Sequence, residues 1–159
     1  MKVVLGSRGD YAVRAVLYLA RRPGRHRRSD VAREMDIPHN YLPQVLAALV
    51  SAGIVKSAVG RGGGYELGRP AEAVSLREVV EAAEGPLRSQ KCLLRGGPCY
   101  WAEKCALHDA WLAAEDALVR RLTSTTFAEL ARTDWEIEQQ NQSRPRSRRP
   151  GQRVHPSSA

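Results

Sequence analysis

Apolar residues recur every three or four positions over residues 8–21, where Ala12, Ala15, Val16 and Leu19 form one stripe and Arg14 and Arg21 fall outside it. That period predicts an amphipathic helix, and Pro23-Gly24 ends it. Ser29 is a good N-cap for a short helix over 30–35, whose Asp30 suits the positive end of the helix dipole. A second helix must begin after Asp36-Ile37-Pro38, and Pro43 limits where. A proline has no N–H and crowds the carbonyl four residues back, so it fits only the first turn. With Asn40 as N-cap, Pro43 takes the third helical position, where no intrahelical donor is required. Leu42, Val45, Leu46 and Leu49 then face inward as far as about Ala52, and Gly53 stops the helix.

The pattern then changes. Residues 54–59 and Tyr65-Glu66-Leu67 flank Gly62-Gly63-Gly64, which reads as a β-hairpin with Arg61 on its tip. Two short helices, a tight turn and this hairpin predict a helix-turn-helix with a wing. The glycine run is not a phosphate-cradling loop, because no Lys-Ser/Thr follows it and no helix opens there. Ser75 with Glu78 forms a capping box that predicts a helix running to Gly85-Pro86. From about Cys105 a longer helix carries Leu107, Ala110, Trp111, Ala114, Leu118 and Leu122 as an apolar stripe. Thr126 with Glu129 is a second box, opening a helix through about Glu138. From Asn141 the chain is Gln, Ser, Pro, Arg and Gly without apolar period, and is read as a disordered basic arm. The expected fold class is mainly α with a small β-hairpin wing, a winged helix-turn-helix followed by a long C-terminal dimerisation helix. The expected divisions are a DNA-binding domain over 1–86, a cysteine loop over 87–104, dimerisation helices over 105–140 and the tail over 141–159.

Charge gives this outline a direction. The net +8 of the 159 residues is distributed as +7 over 1–70, −4 over 71–140 and +5 over 141–159. A basic front joined to an acidic back is expected where one face meets a polyanion. The recognition helix of a helix-turn-helix offers its N-terminal turn to base edges in the major groove. Asn40, Tyr41 and Gln44 stand there, with His39 beside them. Asn and Gln suit the adenine edge, and Tyr suits a phosphate or a thymine methyl. Arg61 would reach the minor groove or backbone from the wing, and Arg8, Arg27 and Arg28 are candidates for phosphate anchoring. The expected partner is double-stranded operator DNA. No apolar run of about 20 residues exists to span a membrane, the N-terminus is too short for a signal peptide, and the expected location is cytoplasmic.

All three cysteines, Cys92, Cys99 and Cys105, fall within fourteen residues, and His108 follows the last by three. In a reducing compartment such a group points to metal binding or thiol redox chemistry rather than a disulfide framework. Gly96-Gly97-Pro98 permits the loop to fold back, so that three thiolates and an imidazole converge. That set would close a tetrahedral zinc site or ligate an iron–sulfur cluster. Metal-free thiols, redox-sensing or merely buried, are the third reading of these residues.

Five motifs together resemble the Rrf-two family of winged-helix transcription regulators, which includes IscR-like and NsrR-like iron–sulfur repressors. They are Gly9-Asp10-Tyr11-Ala12-Val13-Arg14-Ala15, Tyr41-Leu42-x-Gln44, Gly62-Gly63-Gly64-Tyr65-x-Leu67, Glu84-Gly85-Pro86-Leu87 and the three cysteines. The resemblance covers about residues 1–132. It implies a homodimer crossing over through the long helix. It also implies a cluster held by Cys92, Cys99 and Cys105, and repression controlled by redox state, nitric oxide or iron–sulfur supply. For the fourth ligand it offers two positions. His108 stands where IscR-like members use a histidine on a two-iron cluster. Asp10 stands where some NsrR-like members supply an aspartate from the partner's first helix to a four-iron cluster. His108 is preferred, since its spacing from Cys105 needs no second chain. The wing reads Val59-Gly60-Arg61 where many members read Arg-Gly-Pro, so the wing arginine stands two positions later.

Two rival readings remain: a zinc-stapled or cluster-free winged-helix regulator, and a thiol oxidoreductase or cluster carrier. The second lacks a Cys-x-x-Cys motif and a clear acid–base pair, so the chain is not expected to be an enzyme.

Overall fold

The computed structural model describes residues 5–87 and 105–143. Helix α1 (Ser7–Arg21) is followed by α2 (Arg28–Glu34) and α3 (Leu42–Ser51), then by the antiparallel strands β1 (Val55–Ala58) and β2 (Gly64–Leu67). After a short 3-10 turn at Ala71–Ala73 come α4 (Leu76–Glu84), α5 (His108–Ser124) and α6 (Phe127–Ser143). The described residues are mainly helical with one hairpin, as the periodicity predicts.

Every residue expected to face inward on α1 and α3 is buried: Ala12, Ala15, Val16 and Leu19 on the first, Leu42, Val45, Leu46 and Leu49 on the second. Val31 and Ala32 of α2, Ile54 and Val55 at the start of the hairpin and Val79 of α4 complete the same core. Removing the Val, Leu and Ile side chains among them from water stabilises the fold by about 1.5–3 kcal/mol each.

The turn between α2 and α3 departs from the sequence reading at both ends. Helix α2 begins at Arg28 with no side-chain cap, and Ser29 lies inside it, because the Arg27 carbonyl accepts the N–H groups of Asp30 and Val31 at 3.0 and 3.3 Å. Its C-terminus closes as a Schellman motif around Asp36, which has φ +51°. Ile37 N–H reaches the Ala32 carbonyl at 2.9 Å, and Asp36 N–H reaches that of Arg33 at 3.5 Å. Asn40 is not the N-cap of α3. The Pro38 carbonyl accepts from Tyr41 and Leu42, Tyr41 takes the cap position, and Pro43 becomes the second helical residue instead of the third. A proline is still free of obligation there.

The hairpin pairs Val55 with Leu67 and Ala58 with Gly64, leaving residues 59–63 as its turn. The connector before α2 adds a third edge that periodicity does not announce. His26 and Tyr65 exchange both backbone hydrogen bonds, at 2.9 and 2.8 Å. The His26 ring is held edge-on to Tyr18, 5.1 Å between centroids, with Nε2 on the Arg22 carbonyl at 2.8 Å.

The capping box at Ser75 is present. Its hydroxyl accepts Glu78 N–H at 3.3 Å, and Glu78 Oε2 accepts Ser75 N–H at 2.9 Å. The strand-like segment before α4 also pairs with the α5–α6 turn: Leu76 N–H donates to the Thr125 carbonyl at 2.8 Å and Phe127 N–H to that of Val74 at 2.9 Å. This places Phe127, the one phenylalanine of the chain, fully buried in the core shared by α1, α3 and α4. Thr126 Oγ1 accepts Glu129 N–H at 3.2 Å, so the second predicted helix start also stands. The helix itself continues to Ser143, not to about Glu138. Residues 141–143, read from composition as the start of a disordered arm, are therefore helical, and 144–159 lie outside the described residues. Arg21 of α1 spans Asp134, at 2.6 Å, and Glu138 of α6.

Helix α5 starts at His108, three residues later than expected. Much of its apolar surface is not covered by the other described residues. Leu107, Leu112 and Leu118 are exposed, and Val119 is the buried residue of the helix.

Candidate nucleic-acid interface and thiol site

The turn over residues 38–41 and the first turn of α3 present His39, Asn40, Tyr41 and Gln44, all exposed. No other described residue engages the side chains of Asn40 and Gln44. Tyr41 is anchored from one side: its ring lies 5.9 Å from that of Tyr11 on α1, tilted by 50°. The guanidinium of Arg14 sits 5.7 Å from the Tyr11 ring centre. Arg14 also donates to the carbonyls of Met35 and Asp36 at 3.2 and 3.4 Å, capping the end of α2. One face of α1 thus holds both sides of the helix-turn-helix turn. Sequence reasoning passed over Tyr11 and Arg14, whose i, i+3 spacing on α1 was the available signal.

The arginines of residues 5–87 fall into two sets. Arg14, Arg21, Arg22, Arg25, Arg33, Arg69 and Arg77 each pair with a carboxylate. Arg8, Arg27, Arg28 and Arg61 are exposed and pair with none among the described residues. Those four are the ones assigned to DNA on sequence grounds. Arg8 is the second residue of α1, Arg27 and Arg28 open α2, and Arg61 stands in the hairpin turn. Lys56 on β1, which sequence reasoning passed over, is likewise exposed and unpaired.

Cys92 and Cys99 lie outside the described residues. Cys105 is a free, half-buried thiol on the approach to α5, and His108, also half-buried, is the first residue of that helix. The two are joined across a turn, His108 N–H to the Cys105 carbonyl at 3.0 Å. They are therefore one turn apart but not on a continuous helix, as the sequence reading had them. Soft sulfur and imidazole nitrogen at the positive end of a helix are chemically suited to an anionic metal–thiolate centre. Neither side chain is occupied by another described residue.

Asp10 is differently placed. Both its oxygens are taken by Arg14, Oδ1 by Nε at 3.0 Å and Oδ2 by Nη2 at 2.5 Å. Close by, the first turn of α1 receives Glu84, the last residue of α4, whose Oε1 accepts Gly9 N–H.

Comparison with known proteins agrees with this fold. The profile of the Rrf2 family, described as an iron-dependent transcriptional regulator, matches residues 5–133. The HTH-type transcriptional regulator IscR of Escherichia coli O1:K1 / APEC is 34% identical over 128 residues, spanning 79% of this chain and 78% of that one. Among solved structures, CymR, the global cysteine regulator of B. subtilis, superposes with a TM-score of 0.72 at 28% identity over 83% of this chain and 98% of its own. IscR of T. potens gives 0.70 at 25% identity over 87% and 91%. The chain belongs to the Rrf2 family of winged helix-turn-helix transcriptional regulators.

Proposed function

We propose that the chain is a homodimeric, cytoplasmic repressor that binds double-stranded operator DNA. Its signal is redox state, nitric oxide or iron–sulfur supply, received through an iron–sulfur cluster held by Cys92, Cys99, Cys105 and His108. The observation that carries the DNA-binding part is the sorting of the arginines. Carboxylates neutralise seven of the eleven between residues 5 and 87, and the four left unpaired stand around the helix-turn-helix and its wing. Unpaired cations bind phosphate without first breaking an ion pair, and they set affinity and its salt dependence. Asn40, Tyr41 and Gln44 read bases from the first turn of α3, and His39 adds a polar contact.

The apolar residues at the cap of α5 and along it that no other described residue covers support the homodimer. Leu107, Leu112 and Leu118 are each about two-fifths exposed, and a second copy of the helix would bury them.

An iron–sulfur cluster, when bound, supplies a centre whose charge and integrity respond to oxidants, nitric oxide and iron. The chain's own residues connect its site to the DNA-reading elements. His108 begins α5, α5 packs on α4, and α4 ends at Glu84 on the first turn of α1. Helix α1 in turn holds both sides of the recognition turn through Tyr11 and Arg14. Two states of the site affect repression only as far as they differ in operator affinity.

The test is anaerobic purification followed by operator binding with and without the cluster. A brown protein whose visible absorption disappears in Cys99→Ala, together with salt-sensitive binding to a palindromic duplex, is expected. A colourless protein with stoichiometric zinc would replace the sensor with a zinc-stapled regulator. Failure to bind any duplex would remove the DNA-binding reading itself.

A further inference from the structure

We infer that the part of the operator half-site read by α3 in the major groove consists of A·T pairs. Gln44 and Asn40 lie on adenine, and Ala47 and Tyr41 lie against thymine methyl groups. This rests on the DNA-binding reading above and gives it a sequence class.

The outward side of the recognition element carries His39, Asn40, Tyr41, Gln44, Ala47 and Ser51, all exposed, and among them is no carboxylate, guanidinium or ammonium group. Helix α3 itself has neither an acid in its first turn nor a base in its last. Guanine is most often read by an Arg or Lys on O6 and N7, and cytosine by a carboxylate on N4. Helix α3 has no such reader. What it offers is two side-chain amides, which match N6 and N7 of adenine, and apolar surface, which matches the C5 methyl of thymine.

Ala47 follows Gln44 by three residues, so the two share a face one turn apart. The core is filled by Leu42, Val45, Leu46 and Leu49, leaving the Ala47 methyl exposed on the opposite side. A small residue there lets the helix lie deep in the groove, with its methyl against the next base step. The wing favours the same composition by different physics. Arg61 is exposed and unpaired in the hairpin turn, and A·T tracts narrow the minor groove and deepen its negative potential, which attracts arginine.

The experiment uses the full-length protein to select duplexes from a random-sequence library, then replaces single thymines of the enriched duplex by uracil, which lacks the methyl. Half-sites with A·T pairs at the selected core are expected. Uracil at one core position should weaken binding several-fold, and Ala47→Gly should no longer distinguish uracil from thymine there. Gln44→Ala should relax the choice of adenine at one position by roughly 5- to 150-fold. The uracil measurement uses the wild-type chain and stands whether or not a variant folds. Half-sites with a G·C core, or binding indifferent to uracil throughout, would overturn the inference and leave the DNA-binding reading intact. If no sequence is enriched at all, the DNA-binding reading fails and takes this inference with it.

Discussion

Oε1 of Glu84, the last residue of α4, accepts the backbone N–H of Gly9 in the first turn of α1 at 3.0 Å. The first N–H groups of a helix have no partner within it, and a carboxylate there also meets the positive end of the helix dipole. Close approach is possible because position 9 has no side chain. A Cβ on Gly9 would stand 2.5 Å from that oxygen and 2.8 Å from the carboxyl carbon, and one on Gly6 would stand 2.7 Å from the same oxygen. Gly9→Ala should therefore push the carboxylate away and lose the bond, with part of the loss offset by alanine's better helix propensity. Glu84→Ala loses the same bond. The double variant should be less destabilised than the two single changes summed, by about 0.5–1 kcal/mol in urea unfolding. Strict additivity would mean that the contact contributes nothing.

Gly64 is a different case, because what it approaches cannot swing aside. It has φ +155°, and a Cβ would lie 2.4 Å from the carbonyl oxygen of His26 and 2.9 Å from its carbon. Gly64→Ala should separate the His26–Tyr65 backbone pair and cost about 2 kcal/mol or more. Gly62→Ala, where nothing lies within 4 Å but φ is +78°, should cost about 1 kcal/mol for the left-handed backbone alone. Hydrogen exchange at the amides of His26 and Tyr65 separates the two: both should lose protection in the first variant and keep it in the second.

The same glycines show what sequence can and cannot convey. A triple glycine between two short β-prone runs announces a hairpin tip, and the stripes on α1 and α3 name their buried residues one by one, because both are local patterns. Close approach of distant backbone is not local. Nothing near Gly64 says that His26 will pair beside it, and nothing near Phe127 says that α6 will be pinned into the core of the first helices. The caps of α2 and α3 were misplaced for a related reason. Ser29 and Asn40 are favourable cap residues, but the carbonyls of Arg27 and Pro38 close the turns first, and the Schellman motif relies on Asp36 where glycine is the usual signal. For the candidate site, the exposure of the residues proposed to meet bases and phosphates was legible, because exposure follows from being off the apolar stripe. Their support by Tyr11 and Arg14 was not, since it depends on how α1 crosses the turn.

Acid should weaken the link between α4 and the rest of the fold. Burial by itself opposes the charged form of Glu78. The Ser75 N–H at 2.9 Å, Arg69 at 2.7 Å and the Ser75 hydroxyl at 2.7 Å outweigh it, so the carboxyl titrates below its ordinary value. A depressed folded-state pKa gives stability that is present above the unfolded value, about 4.3. That stability is lost as pH falls through the folded value. Glu78→Gln should be less stable than wild type by about 1 kcal/mol at pH 7, and the difference should vanish once the wild-type carboxyl is protonated. Urea midpoints measured from neutral pH down through the carboxylate range check this. A difference that stays constant with pH would assign the effect to packing.

The two candidates for the fourth cluster ligand differ in what they must give up. Asp10 would have to leave Arg14, which holds both its oxygens, while His108 has no side-chain partner among the described residues and stands one turn from Cys105. An exposed i, i+4 ion pair contributes only about 0.3–0.5 kcal/mol, so Asp10→Ala should leave unfolding nearly unchanged. With His108 as ligand, the same variant should also keep the visible absorption of anaerobically purified protein, and His108→Ala should shift or abolish it. The salt bridge also predicts a readout independent of colour. Without Asp10, the Arg14 guanidinium remains on the Met35 and Asp36 carbonyls, so the recognition turn keeps its geometry and operator affinity should change less than about threefold. The opposite pattern, absorption lost in Asp10→Ala and retained in His108→Ala, would make the site one shared between two subunits. Arg14 would then lose its carboxylate partner whenever the site fills, while its bonds to the Met35 and Asp36 carbonyls would remain.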